Sequence, residues 1–184
     1  MSQRIRFSRT FAALVACVTI ALASVWSPSP ARAALDAGRP ACDYCRMLFS
    51  EPGFGGEIAT RHGARKIYDS VECMAAAVLT DSVPQREIRA IALVSHDAPY
   101  AHLALARAVF VHCPAIASPM GLSLVAFRTR ERAARACPQP GLEVLDWRGV
   151  LAYVNATWFQ GKLAVDKHLA GMRSRTDPGP AAHH

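Results

Sequence analysis

The stretch Cys42-Asp43-Tyr44-Cys45-Arg46-Met47 places two thiols three positions apart and a thioether two positions further on. This spacing serves three chemistries: a redox dithiol, half of a zinc site, or a soft-metal site. A thioredoxin-type dithiol follows a strand and opens a helix, so that the helix N-terminus stabilises the first thiolate. Here the lead-in ALDAGRPA (34–41) is no strand, and Pro52 with Gly53, Gly55 and Gly56 leaves no room for a long helix afterwards. Zinc asks for two further ligands; Cys73 is available, with Cys113 or a histidine to complete a set, but there is no second CxxC. Copper(I) asks instead for two to four soft sulfur donors and accepts thioethers. Met47 follows Cys45 closely, Met74 adjoins Cys73, and Met120 sits in the turn Ser118-Pro119-Met120-Gly121. Methionines also fill gaps in cores, and Met74, in a helical segment, suits that role equally well.

The elements that must position these groups follow from the apolar pattern. GEIAT (56–60) and ARKIYD (64–69) are β-prone segments around Arg61-His62-Gly63, a hairpin signal. Ser70 caps a helix over VECMAAAVLT, and REIRAIALVSH (86–96) supplies a buried strand. The order then recurs: ARAVFVHC (106–113) and GLSLVAF (121–127) as strands, Thr129 capping a helix TRERAARAC, and GLEVLDW (141–147) as a closing strand. Both halves therefore read strand, strand, helix, strand. Beyond them, Val150, Leu151, Val154, Trp158 and Leu163 recur at helical spacing, which predicts a C-terminal helix over 148–173 packed on the domain, despite Gly161. Residues 174–184 read as a polar, disordered tail, in which His183 and His184 are solvated rather than ligands. His62, His96, His102 and His112 are scattered over turns and strand ends and read as surface or hydrogen-bonded histidines.

The chain opens with Arg4, Arg6 and Arg9 and continues as FAALVACVTIALASVW, followed by Ala31-Arg32-Ala33. A charged n-region, an apolar h-region and a small-residue cleavage site make residues 1–33 a secretory signal, with export to the periplasm as the expected destination. Leu14-Val15-Ala16-Cys17 is a competing lipobox, but the apolar run continues past Cys17, so lipid anchoring is the lesser expectation. The first 33 residues hold four of the 21 basic residues and none of the 14 acids, so the remainder carries 17 against 14, a net of +3. No basic run interleaved with aromatics is left, which excludes a nucleic-acid footprint. Cys42, Cys45, Cys73, Cys113 and Cys137 remain, an odd count for an oxidising compartment. On redox grounds a Cys113–Cys137 disulfide would leave three free thiols.

Together, Cys42-Asp43-Tyr44-Cys45-Arg46-Met47, the hairpin leading to Tyr68-Asp69-Ser70-Val71-Glu72-Cys73-Met74, Ala108-Val109-Phe110-Val111, and Ser118-Pro119-Met120-Gly121 before Val125-Ala126-Phe127 resemble the NosL family over residues 40–147. That family comprises copper(I)-binding accessory proteins of nitrous-oxide reductase assembly. The resemblance implies an α+β fold of two tandem ββαβ units in one compact domain over 34–147, related to organomercurial lyase. It also implies a periplasmic metallochaperone, not an enzyme, that holds one Cu(I) and passes it to a copper enzyme or its assembly machinery in the cell envelope. By position it carries over Cys45, Met47 and Met120 as metal ligands, then Cys42 and Cys73. The chain departs from the family in having Arg46 where glycine usually precedes the methionine, which would crowd the site, in its poor lipobox, and in its long segment after residue 147. Against the copper carrier stand a periplasmic CxxC thiol-disulfide oxidoreductase using Cys42 and Cys45, and a non-catalytic domain in which the sulfurs are structural.

Overall fold

Two antiparallel sheets organise the chain, and the computed structural model describes residues 39–51 and 53–173. The expected signal segment, Cys17 and the tail lie outside the described residues. In the first sheet β1 (Gly56–Thr60) and β2 (Arg65–Tyr68) form a hairpin in the register Gly56↔Tyr68 to Ala59↔Arg65. Its turn is closed by Thr60, whose N–H donates to Ala64 O (2.8 Å) and whose hydroxyl accepts from Ala64 N (3.0 Å). Helix α1 (Val71–Leu79) follows, with Ser70 Oγ accepting from Cys73 N at 3.1 Å as its N-cap. Every residue of α1 is buried, as befits a helix apolar on all sides, and its alanines let it approach its neighbours closely. The exception in chemistry is Glu72. β3 (Ile88–Ser95) returns antiparallel to β1, and β4 (Ala98–Ala104) adds an edge, giving the order β2-β1-β3-β4.

The second unit repeats this plan. β5 (Val109–His112) and β6 (Leu124–Phe127) pair, α2 (Arg130–Ala136) is capped by Thr129 Oγ1 on Arg132 N, and β7 (Val144–Leu145) pairs with β5. The resulting order β6-β5-β7 matches β2-β1-β3, so the fold is two tandem ββαβ units with β4 as an addition. β4 is absent from the sequence-based expectation because APYAHLA is alanine-rich and carries Pro99, a composition that strands tolerate only at an edge.

Alternating side chains divide the core. Phe110, Leu124 and Ala126 face the large cluster around α1, whereas Val111, Val125 and Phe127 face a smaller one with Ala133 of α2. That smaller cluster contains the Cys113–Cys137 disulfide (Cα–Cα 5.9 Å), which ties the end of β5 to the end of α2. The two sheets meet where His96 N donates to Ala126 O at 2.9 Å.

The C-terminal segment packs on α1 as expected but as two helices, α3 (Trp147–Phe159) and α4 (Val165–Arg173), rather than one over 148–173. Gln160 and Gly161 both adopt positive φ (54° and 72°), and Gly161 N donates back to Asn155 O (2.9 Å), a six-residue closure that ends α3. Asn155 then binds Leu163 through both its side-chain atoms, at 3.1 and 2.8 Å, and so directs the chain into α4. Among the described residues no helix is long and apolar enough to cross a membrane.

Candidate metal centre

The Cys42–Met47 segment is a tight turn rather than the start of a helix. An Ala41↔Leu48 bridge closes its base, Cys42 N donates to Met47 O (2.8 Å), and Arg46 N donates to Cys42 O (3.0 Å). Closing so short a loop puts Arg46 in the left-handed region (φ 66°), which accounts for a preference for glycine there. Arg46 itself is exposed, so its side chain does not crowd the thiols as the sequence suggested. Asp43 fixes the turn to the free edge of β2. Its N–H donates to Ile67 O (2.8 Å), its Oδ2 accepts from Ile67 N (2.7 Å), and Lys66 Nζ lies 3.8 Å from its Oδ1.

Opposite the turn lies the passage from β2 into α1, Asp69 to Cys73. Gly55 holds this passage closely: a Cβ there would sit 2.0 Å from Tyr68 O and 2.7 Å from Ser70 N. The result is a four-residue cluster, Cys42, Cys45, Asp69 and Cys73, whose potential ligand atoms all lie within 4.8 Å of one another. Cys42 and Cys73 are fully buried, and Cys45 is half-buried. The Cys45 thiol donates to Asp69 Oδ2 at 3.4 Å, while the other oxygen of this buried carboxylate has no partner. None of these three cysteines is in a disulfide.

The thiols share their protons unequally. A hydrogen bond from Cys73 pulls Cys42 down to about 6, aided by backbone donors at Asp69, Cys45 and Tyr44 and opposed by burial. The same hydrogen bond to Cys42, with burial, pushes Cys73 far above the ordinary thiol range. Burial pushes Cys45 up to about 11, assisted by its bond to Asp69 and the charge on Cys42. At neutral pH the cluster thus holds one thiolate with two thiols around it. Such a set offers a soft cation one anionic sulfur at once and two more on loss of protons.

The sequence-derived donors separate into groups. Cys42, Cys45 and Cys73 come together, although Cys73 lies in a different element from the CxxC. Met47 stands 46 % exposed at the base of the turn, beside Leu48 at 41 %. Met120 is half-buried on the β5–β6 loop and packs against the large core cluster, to which Cys42 and Cys73 also belong. Met74 is fully buried core. No histidine of the described residues joins the thiol cluster; His96 stacks between Phe54 and Phe127 (4.9 and 5.8 Å), and His112 lies against Tyr153. Asp69 and Glu72 were not anticipated as site residues, yet both fall in the stretch Tyr68 to Met74 that carries Cys73. An acid on each side of a helix cap, just ahead of a cysteine, was the available signal.

Three unpaired thiols beside a buried carboxylate, on a scaffold of two ββαβ units, make an α+β domain with a cluster whose donors fit a soft metal ion. The chain belongs to the NosL family, whose model matches residues 34–151. Its fold is similar to that in the crystal structure of the copper chaperone NosL from Shewanella denitrificans, with a TM-score of 0.51 and 21% identity over 58% of this chain and 86% of that one. No curated protein matches the chain.

Proposed function

We propose that this protein is a periplasmic metallochaperone that carries one Cu(I) and delivers it to a copper enzyme during maturation, nitrous-oxide reductase being the acceptor. The observation that carries this reading is the gathering of Cys42, Cys45 and Cys73 within 4.8 Å while the remaining described cysteines are locked in a disulfide. Family membership and the fold shared with a copper chaperone support it. Cu(I) is the substrate here, a cargo rather than a cofactor, and the protein is not an enzyme. The thiolate of Cys42 captures the ion, Cys45 loses its proton to become the second anionic donor, and Met47 and Met120 supply thioethers, with Cys73 in reserve. Met47, exposed on the turn, is the donor an incoming acceptor ligand displaces, so release proceeds by ligand exchange without the ion entering water. The partner is the acceptor enzyme or its assembly machinery in the cell envelope; nucleic acid has no part in this function, and a membrane tether is not favoured.

The thiol-disulfide oxidoreductase reading fits the site less well. A reactive dithiol needs its accessible sulfur to be the one with the lowered pKa. In this site the lowered thiol, Cys42, is buried, and the accessible one, Cys45, is raised to about 11. The test is an anaerobic Cu(I) titration of reduced residues 34–184 against a chromophoric chelator. One tight equivalent is expected, weakened by Cys45→Ser and by Met120→Ala; failure to compete with the chelator removes the reading.

A further inference from the structure

Glu72 is the second residue of α1 and is fully buried, the only ionisable side chain other than Cys73 in an otherwise apolar and alanine-rich helix. Burying a carboxylate costs several kcal/mol in general unless hydrogen bonds replace its water. Those bonds come from the other half of the fold. Glu72 Oε1 accepts from the Ser118 hydroxyl, 46 residues away, and from Leu124 N at 3.3 Å. Ser118 Oγ in turn accepts from Ser123 N (2.9 Å), and Ser118 O accepts from Gly121 N (3.0 Å). Both ends of the loop 118–124 are therefore held by one carboxylate oxygen, and Met120 rides on that loop. The next residue along α1 is Cys73, whose N–H is fixed by Ser70. One helical turn thus anchors a thiol of the first ββαβ unit and the thioether-bearing loop of the second.

We propose that Glu72 is a positioning residue for metal binding: through Ser118 and Leu124 it sets Met120 relative to the Cys42/Cys45/Cys73 cluster. The inference rests on the copper reading above, with Met120 as a donor. A carboxylate kept only to satisfy the N-terminus of its own helix would point at that helix's free N–H groups. Glu72 instead spends its bonds on the opposite unit, and its second oxygen, Oε2, is buried without a partner.

The experiment is a double-mutant cycle on anaerobic Cu(I) affinity with wild type, Glu72→Ala, Met120→Ala and the double variant, together with Cu K-edge absorption to count sulfur neighbours. Glu72→Ala is expected to weaken Cu(I) binding by about 10–100-fold, the range for groups that orient ligands, and to lose one sulfur neighbour. In the Met120→Ala background the same change should cost almost nothing further. Glu72→Gln keeps a carbonyl oxygen able to accept both bonds and should restore the sulfur count. Should Glu72→Ala fail to fold, Ser118→Ala takes its place in the cycle with the same expected coupling. Equal losses in both backgrounds, with wild-type copper binding intact, would overturn the positioning role alone. A wild type that does not hold Cu(I) would overturn the copper reading and this role with it.

Discussion

The Sγ of Cys45 lies 3.4 Å from Oδ2 of Asp69, so the most accessible thiol of the cluster donates its proton to a buried carboxylate. The bond holds Cys45 in its protonated form, as does the charge on Cys42, while burial acts in the same direction and more strongly. Asp69→Asn removes the negative charge and should lower the Cys45 pKa from about 11. Each unit of lowering exposes about tenfold more thiolate at a fixed alkaline pH. Iodoacetamide should therefore label Cys45 of the metal-free variant faster at pH 8, read by mass spectrometry of the tryptic peptide, and an unchanged rate would refute the role of Asp69.

Copper affinity should rise with pH in a pattern set by these thiols. Cys42, near 6, is already a thiolate at neutral pH, whereas Cys45, near 11, and Cys73, higher still, bring protons that the ion must displace. Binding through Cys42 and Cys45 then releases about one proton between about pH 7 and 9, so log K climbs by about one per pH unit. Below about pH 6 Cys42 is protonated too and the slope approaches about two. A chelator competition across this range measures it, and a slope near two at pH 8 would enrol Cys73 as a third thiolate.

The two classes of cysteine should separate cleanly under mutation. Cys45→Ser removes a donor and should weaken Cu(I) by more than the about 10–100-fold that outer partners cost. The Cys113→Ser/Cys137→Ser pair opens a bridge spanning 24 residues and should instead lower stability by about 3 kcal/mol while leaving affinity unchanged. Equal affinity losses would place the metal elsewhere.

How far the site could be read from sequence depended on range. The caps at Ser70 and Thr129, the hairpin and the repeated order of elements are local signals, and the structure contains each of them. The meeting of Cys73 with the CxxC turn, and of Glu72 with Ser118, depends on contacts 24 residues apart or more, which no local pattern encodes. Glu72 illustrates the difference: at the start of a helix an acid reads as a solvated partner of the dipole, and only the packing of the second unit buries it. The break at Gln160 was hidden for another reason. Gly161 is visible, but its neighbour's left-handed conformation depends on Asn155 closing the turn with Leu163.

Arg46 carries a backbone conformation that suits glycine, with φ at 66°. An L-residue there costs about 1–2 kcal/mol, and glycine gives back about 0.5–1 through a more disordered unfolded chain. Arg46→Gly should therefore stabilise the domain slightly, raising Tm by a few degrees at most. Because Arg46 is exposed and its N–H bond to Cys42 survives the change, copper affinity should stay at the wild-type value.

Gly55 offers the opposite case. A methyl group there would meet Tyr68 O at 2.0 Å, the Asp69 carbonyl carbon at 2.6 Å and Ser70 N at 2.7 Å, all backbone and none able to swing aside, at a φ of 71°. Gly63→Ala provides the control, since its φ is also positive (85°) but nothing lies within 4 Å of the added carbon. Urea denaturation should find about 1 kcal/mol lost at Gly63, the strain alone, and about 3 kcal/mol or more at Gly55. The backbone that must move is the one that carries Asp69 and the Ser70 cap on Cys73, so the folded fraction of Gly55→Ala should also bind Cu(I) more weakly while Gly63→Ala binds normally. Matching losses at the two glycines would mean that the close approach of Gly55 does not hold the cluster together.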